Sequence, residues 1–201
     1  MKLQDITWRL DLPLFLVKNN LTKIGAEVGV KYGGFSAYIL ENWPGVLYSI
    51  DKWRHDTDYK TAIKTLNKYD NRSIIKRQHS NVAVKEFDDN SLDFCYIDAG
   101  HNYKAIKEDI SIWYPKVKPG GLFCGDDYCH DEQVWRERGH TGKIHTGVKQ
   151  AVDEFINTYK LQLHSESSLP PISKQDRGPR GRGCPRPVRW PSTWYVIKPL
   201  K

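Results

Sequence analysis

Apolar residues gather along this chain in short blocks separated by polar and glycine-rich stretches, and the blocks show two different periods. Residues 24–29, 46–50, 73–77, 93–98 and 120–125 are almost continuously apolar or β-branched and end in turn residues, which predicts five strands. Between them the period lengthens. Tyr103, Ile106, Ile110 and Trp113 recur every three to four residues, with Asn102 placed to cap that helix and Lys118-Pro-Gly-Gly121 to stop it. Val148, Ala151, Val152, Phe155 and Ile156 make one apolar stripe of a later helix that covers the sheet. Leu161–His164 and Trp194–Lys198 add two strands that close the chain as a hairpin. Near the start, Leu12-Pro-Leu-Phe-Leu-Val17 predicts a short buried helix on the sheet edge, within an N-terminal helical segment of residues 1–20. Strand and helix alternate without internal repeat, so the expected fold is α/β with a mostly parallel sheet.

Composition narrows the class. A chain of 201 residues makes one domain large enough to bury both faces of a sheet. A mean hydropathy of -0.64, and apolar runs well short of a bilayer's width, predict no membrane partner. The first residues lack a signal-peptide core. Of four cysteines, Cys95 and Cys124 lie inside apolar strands, and Cys124, Cys129 and His130 lack the paired spacing of a zinc site. Reduced thiols and a cytoplasmic location follow. The net charge of +7 is concentrated in residues 174–189, where Lys174, Arg177, Arg180, Arg182, Arg186 and Arg189 face the single acid Asp176. Rich in glycine and proline, that stretch cannot bury a core, and residues 168–192 are expected to form a basic mobile loop before the last strand.

The candidate chemistry starts behind the first strand. Glu27-Val-Gly-Val-Lys-Tyr-Gly-Gly-Phe-Ser36 is a glycine-rich turn, and Leu47-Tyr-Ser-Ile-Asp51 ends the next strand in a carboxylate. A glycine turn after one strand and an acid at the tip of the next make a nucleoside site. The glycines read Gly29-x-x-x-Gly33 rather than G-x-G-x-x-G, a spacing that favours S-adenosylmethionine over NAD. Gly29 and Gly33 let the loop turn sharply, and a helix opening near Gly34 aims its positive end at a carboxylate. Asp51 is placed to accept from both ribose hydroxyls, and Trp53 to wall the cleft. Asp98-Ala-Gly-His101 and Asp126-Asp127-Tyr128 end the fourth and fifth strands, bringing three carboxylates and an imidazole together. Like charges so close call for a proton or a cation, and Mg²⁺ suits the hard oxygens. His101 is the leading base for removing a hydroxyl proton, with Asp98 second.

Together with Lys118-Pro-Gly-Gly-Leu-Phe-Cys-Gly-Asp-Asp-Tyr128 and Gly147-Val-Lys-Gln-Ala-Val-Asp-Glu-Phe155, these blocks give a chain that resembles class I S-adenosylmethionine-dependent methyltransferases over nearly its whole length. It looks most like the small-molecule O-methyltransferase branch that includes macrolide-sugar enzymes. The resemblance implies a Rossmann-like seven-stranded sheet of order 3-2-1-4-5-7-6, last strand antiparallel, with helices on both faces. It implies S-adenosylmethionine held by Glu27, Gly29, Gly33, Ser36, Asp51, Trp53, Ser80 and Asp98, and Mg²⁺ held by Asp98, Asp126 and Asp127. Many relatives carry histidine where Asp126 stands and need no metal. Residues 129–146 read as a lid, with Tyr128, Trp135, Arg136, Arg138 and His140 near a small hydroxyl-bearing acceptor. A homodimer is a further expectation. Two alternatives stand beside this reading: a nucleotide or RNA methyltransferase using the basic 174–189 loop, and a cofactor-binding docking protein without catalysis.

Overall fold

The structure, a computed structural model, describes residues 2–128, 146–165 and 193–200. The expected lid and basic loop, with Trp135, Arg136, Arg138 and His140, lie outside the described residues.

Seven strands form one sheet of order β3-β2-β1-β4-β5-β7-β6: β1 Ile24–Val28, β2 Val46–Asp51, β3 Ser73–Arg77, β4 Leu92–Ile97, β5 Val117–Gly125, β6 His164–Ser165 and β7 Trp194–Ile197. β1 to β5 pair in parallel, and β7 runs antiparallel to both β5 and β6. The order and the reversed β7 are those expected.

Central strands are apolar without a break because both of their faces are covered. In β4, Phe94 and Tyr96 join the cluster that holds Leu12, Phe15, Leu40 and Trp43, while Cys95 and Ile97 join the opposite cluster with Ile106, Trp113, Val152 and Phe155. Helices α1 (Leu12–Lys18), α2 (Gly34–Asn42) and α3 (Asp56–Leu66) thus cover one face, and α4 (Ser80–Ala83), α5 (Tyr103–Trp113) and α6 (Thr146–Tyr159) the other. Among the described residues no helix is long and apolar enough to cross a membrane.

Local expectations hold in part. Asn102 caps α5, its side chain accepting from the Ala105 N–H. Helix α1 forms, but it joins the cluster on a sheet face rather than lying along an edge. Lys118-Pro-Gly-Gly121 does not stop α5, which ends at Trp113. These residues belong to β5 instead, where Gly120 N–H donates to the Lys198 carbonyl and Lys198 N–H to the Gly121 carbonyl. Among the described residues the sixth strand is His164–Ser165, and it begins later than Leu161 because Leu161 N–H still donates to Ile156 O at the end of α6.

A buried acid pins the start of the sheet. Asp93, 2% exposed, accepts from the backbone N–H groups of Lys23 and Ile24 and pairs with Lys118. Replacing it with alanine removes the acceptor of two partly buried backbone donors and the partner of Lys118, so Asp93→Ala is expected to lower unfolding free energy by about 2 kcal/mol, read from the denaturation midpoint.

Candidate active site

Neighbours of β1 are β2 on one side and β4 on the other, so chain connections diverge there and open a crevice beyond the strand ends. A cleft of about 900 Å³ occupies it, bordered by Glu27, Gly29, Asp51, Trp53, Ser80, Asp98 and His101. That volume suits a nucleoside-sized ligand.

The glycine turn sits on the tip of β4. Gly29 has φ 96°, and a Cβ there would lie 2.1 Å from the Asp98 carbonyl oxygen. Gly33, at φ 78°, is the N-cap of α2. Asp51 holds the turn from the other side: its Oδ2 accepts from Val30 and Lys31 N–H, both at 3.0 Å, and its Oδ1 from Trp53 N–H at 2.8 Å. Three of the roughly four acceptor positions of a carboxylate are thereby used, which leaves room for one ribose hydroxyl where the spacing suggested two. Trp53, itself at φ 39°, donates from Nε1 to Lys31 O at 2.6 Å and packs against Tyr59, so it braces the turn as well as walling the cleft.

Glu27 reaches the cleft from β1 but is 2% exposed. Burial pushes its carboxyl up to about 8, against the pull of the Ser36 hydroxyl and Arg9. Ser36 donates to Glu27 and accepts from Ser49, which places it behind the cleft as a support.

At the ends of β4 and β5 the acids separate into two groups. His101 Nδ1 lies 2.7 Å from Asp127 Oδ2, and together with Asp98 these side chains offer ligand atoms within 4.8 Å of one another. Asp126 turns instead to Arg9, 2.9 Å away. Burial and then the neighbouring charges of Asp126, Asp127 and Glu27 hold the Asp98 carboxyl well above its usual range. The hydrogen bond that His101 donates to Asp127 raises the pKa of the imidazole. Two carboxylates and an imidazole can hold a divalent cation, which would relieve the repulsion around Asp98. Tyr128 donates to Asp153 Oδ1 on α6 at 2.6 Å, so its hydroxyl is engaged with a helix.

Two residues that bear on the cleft had no place in the sequence reading. Arg9 approaches from the N-terminal segment, with its guanidinium 5.2 Å from the Phe35 ring. Asp109, on α5, is 7% exposed and pushed up to about 6 by burial, with Ser80 pulling it down. A signal for Asp109 existed, since it falls between Ile106 and Trp113 on the apolar stripe of its helix. Arg9 had none.

Residues 24–128 match a family model described as a methyltransferase domain. None of the curated proteins compared with the chain matches it. Among solved structures it is similar to an O-methyltransferase from Bacillus cereus in complex with SAH, at 12% identity and TM-score 0.66, covering 94% of this chain and 80% of that one. It is also similar to the O-methyltransferase TomG from Streptomyces achromogenes in complex with SAM, at 14% identity and TM-score 0.63, covering 95% and 79%. A SAM-dependent O-methyltransferase from Thermotoga maritima shares 15% identity at TM-score 0.59, with 96% and 66% covered.

Proposed function

Since the chain belongs to the methyltransferase-domain family that its residues 24–128 match, we propose that it uses S-adenosylmethionine to methylate a hydroxyl of a small polar acceptor, a sugar or glycosylated metabolite. One observation carries this reading. The turn between β1 and α2, held by Asp51, shares its cleft with His101, which is bonded to Asp127 at the ends of β4 and β5. Glu27, Asp51 and Asp98 line the space, and a cationic sulfonium beside them would favour the charged forms of Glu27 and Asp98, which burial otherwise disfavours. Cys95 and Cys124 are buried thiols, in keeping with a reducing cytoplasm.

Methyl transfer is an in-line displacement, so the protein must hold the acceptor oxygen opposite the sulfonium and remove its proton. With Nδ1 bonded to Asp127, His101 Nε2 is the nitrogen that takes the proton, and Asp127 stabilises the imidazolium that results. Asp98 is the second candidate base. Mg²⁺ held by Asp98 and Asp127, with His101 beside them, would supply positive charge for the developing alkoxide, while Asp126 stays paired with Arg9. Oxygen ligands suit Mg²⁺, and the imidazole widens the choice toward Mn²⁺.

The test is release of S-adenosylhomocysteine from S-adenosylmethionine in the presence of a panel of sugars, glycosides, catechols and RNA. Turnover is expected with sugar hydroxyls, and a chelator is expected to lower it about tenfold or more, with Mg²⁺ restoring it. Chelator-independent turnover would remove the metal from the account. Binding without product from any acceptor would favour the docking-protein alternative.

A further inference from the structure

Two cations border the cleft and take no part in moving the methyl group or the proton. Arg9 stands in the helical turn Arg9–Asp11 that precedes α1. Asp11 Oδ2 accepts from Thr7 N–H at 2.8 Å and Trp8 N–H at 3.1 Å, and the Tyr38 hydroxyl of α2 donates to Leu10 O at 3.0 Å, so the backbone on both sides of Arg9 is tied down. The guanidinium is fixed as well, by Asp126 at 2.9 Å and by the Phe35 ring at 5.2 Å. Asp126 answers one of its N–H donors. With the side chain 40% exposed beside the cleft, the fork keeps donors for a ligand.

Lys31 comes from the turn between β1 and α2. Its backbone holds φ 53°, a left-handed conformation that costs a lysine more than a glycine, and Asp51 on its N–H and Trp53 Nε1 on its carbonyl lock it there. The ammonium lies 5.1 Å from the Tyr32 ring centroid and makes no ion pair among the described residues. The His101 imidazole, raised above all by its bond to Asp127, is pulled back by burial and by the Lys31 charge, so the ammonium acts on the same end of the cleft. Asp126 is matched by Arg9 and Asp127 by His101, which leaves Lys31 and the rest of the Arg9 fork without an anion of their own.

We propose that Arg9 and Lys31 together hold an oxyanion group of the acceptor, a carboxylate or a phosphate, so that the molecule methylated is acidic: a uronic acid, a sugar phosphate or an aromatic hydroxy acid. This rests on the methyl-transfer reading and narrows its acceptor from polar to anionic. A guanidinium fork matches either oxyanion through two parallel hydrogen bonds, and one already held by Asp126 and Phe35 loses little freedom on binding. Gripping the acid at a fixed place also fixes the direction in which the neighbouring hydroxyl meets His101.

The experiment measures release of S-adenosylhomocysteine by the full chain with matched acceptors: glucose against glucuronate and its phosphate ester, galactose against galacturonate, and catechol against a dihydroxybenzoate. In at least one set the acidic member is expected to exceed the neutral one by about thirtyfold or more in kcat/KM, and the phosphate and carboxylate arms separate the two oxyanions. Arg9→Gln should shrink that ratio to within about threefold, and Arg9→Lys, which keeps the charge but not the fork, should fall between. Lys31→Gln, on an exposed turn away from the core, should lower the ratio about threefold or more. If Arg9 serves only to neutralise Asp126, the double variant Arg9→Gln/Asp126→Asn will recover the wild-type ratio and the proposal fails; the proposal expects the ratio to stay low. Neutral acceptors used as well as acidic ones by the wild type overturn the proposal and leave methyl transfer standing. No product from any acceptor defeats the methyl-transfer reading, and the proposal with it.

Discussion

Gly29→Ala is expected to abolish binding of S-adenosylmethionine within the range of calorimetry and to destabilise the fold by about 3 kcal/mol. Two effects add at this position. The backbone sits at φ 96°, where an L side chain is strained, and the new Cβ would overlap the Asp98 carbonyl oxygen at 2.1 Å and its carbon at 2.4 Å. Neither neighbour is a side chain that can swing away. Gly29 N–H donates to Ile50 O at 2.8 Å, and Asp98 N–H to Val28 O at 2.7 Å, so both sides of the clash are tied to strand ends. Relief must separate the turn from the tip of β4, the two walls of the cleft. Gly33→Ala provides the contrast: φ is 78°, but the Cβ would meet the Leu66 side chain at 3.0 Å, which can shift. Its expected cost is about 1 kcal/mol with binding kept. Equal behaviour of the two variants in binding and melting experiments would mean that contact between the turn and β4 does not shape the site.

His101→Ala is expected to lower turnover by about 10²- to 10⁴-fold while changing affinity for S-adenosylmethionine by less than about threefold. The separation follows from position. The nucleoside turn is held by Asp51 and Trp53, whereas His101 is held by Asp127. Asp127→Asn should retain part of the activity, since an amide can still accept from the imidazole but cannot balance its charge. Single-turnover rates together with cofactor titrations distinguish these outcomes. Full activity in His101→Ala would transfer the base role to Asp98.

How much of this was legible in the sequence depended on the range of the interaction concerned. Strand blocks such as Leu92–Ile97 stand out because both faces are buried, and the α5 stripe because one face is. Pro119-Gly-Gly121 looked like punctuation, yet backbone bonds with Lys198 draw it into β5, a pairing that local sequence cannot reveal. The motif acids were found at the right strand tips, but how they divide was not. Asp126 is bonded to Arg9, 117 positions away in the chain, and no periodicity encodes that meeting. Asp51 was recognised by its place after β2, while its bonds to Val30, Lys31 and Trp53 depend on a loop geometry only the folded chain displays. Asp109 is the instructive case. An acid within an apolar stripe is a visible irregularity, and it becomes meaningful once the Ser80 hydroxyl is seen to meet it.

The most direct test of the account is a calorimetric titration of S-adenosylmethionine and, separately, NAD into the wild type and Asp51→Ala. Saturable one-to-one binding of the sulfonium nucleoside by the wild type is predicted, weakened at least about thirtyfold in Asp51→Ala, with no heat from NAD. Binding of NAD in its place, or unchanged affinity in Asp51→Ala, would contradict it.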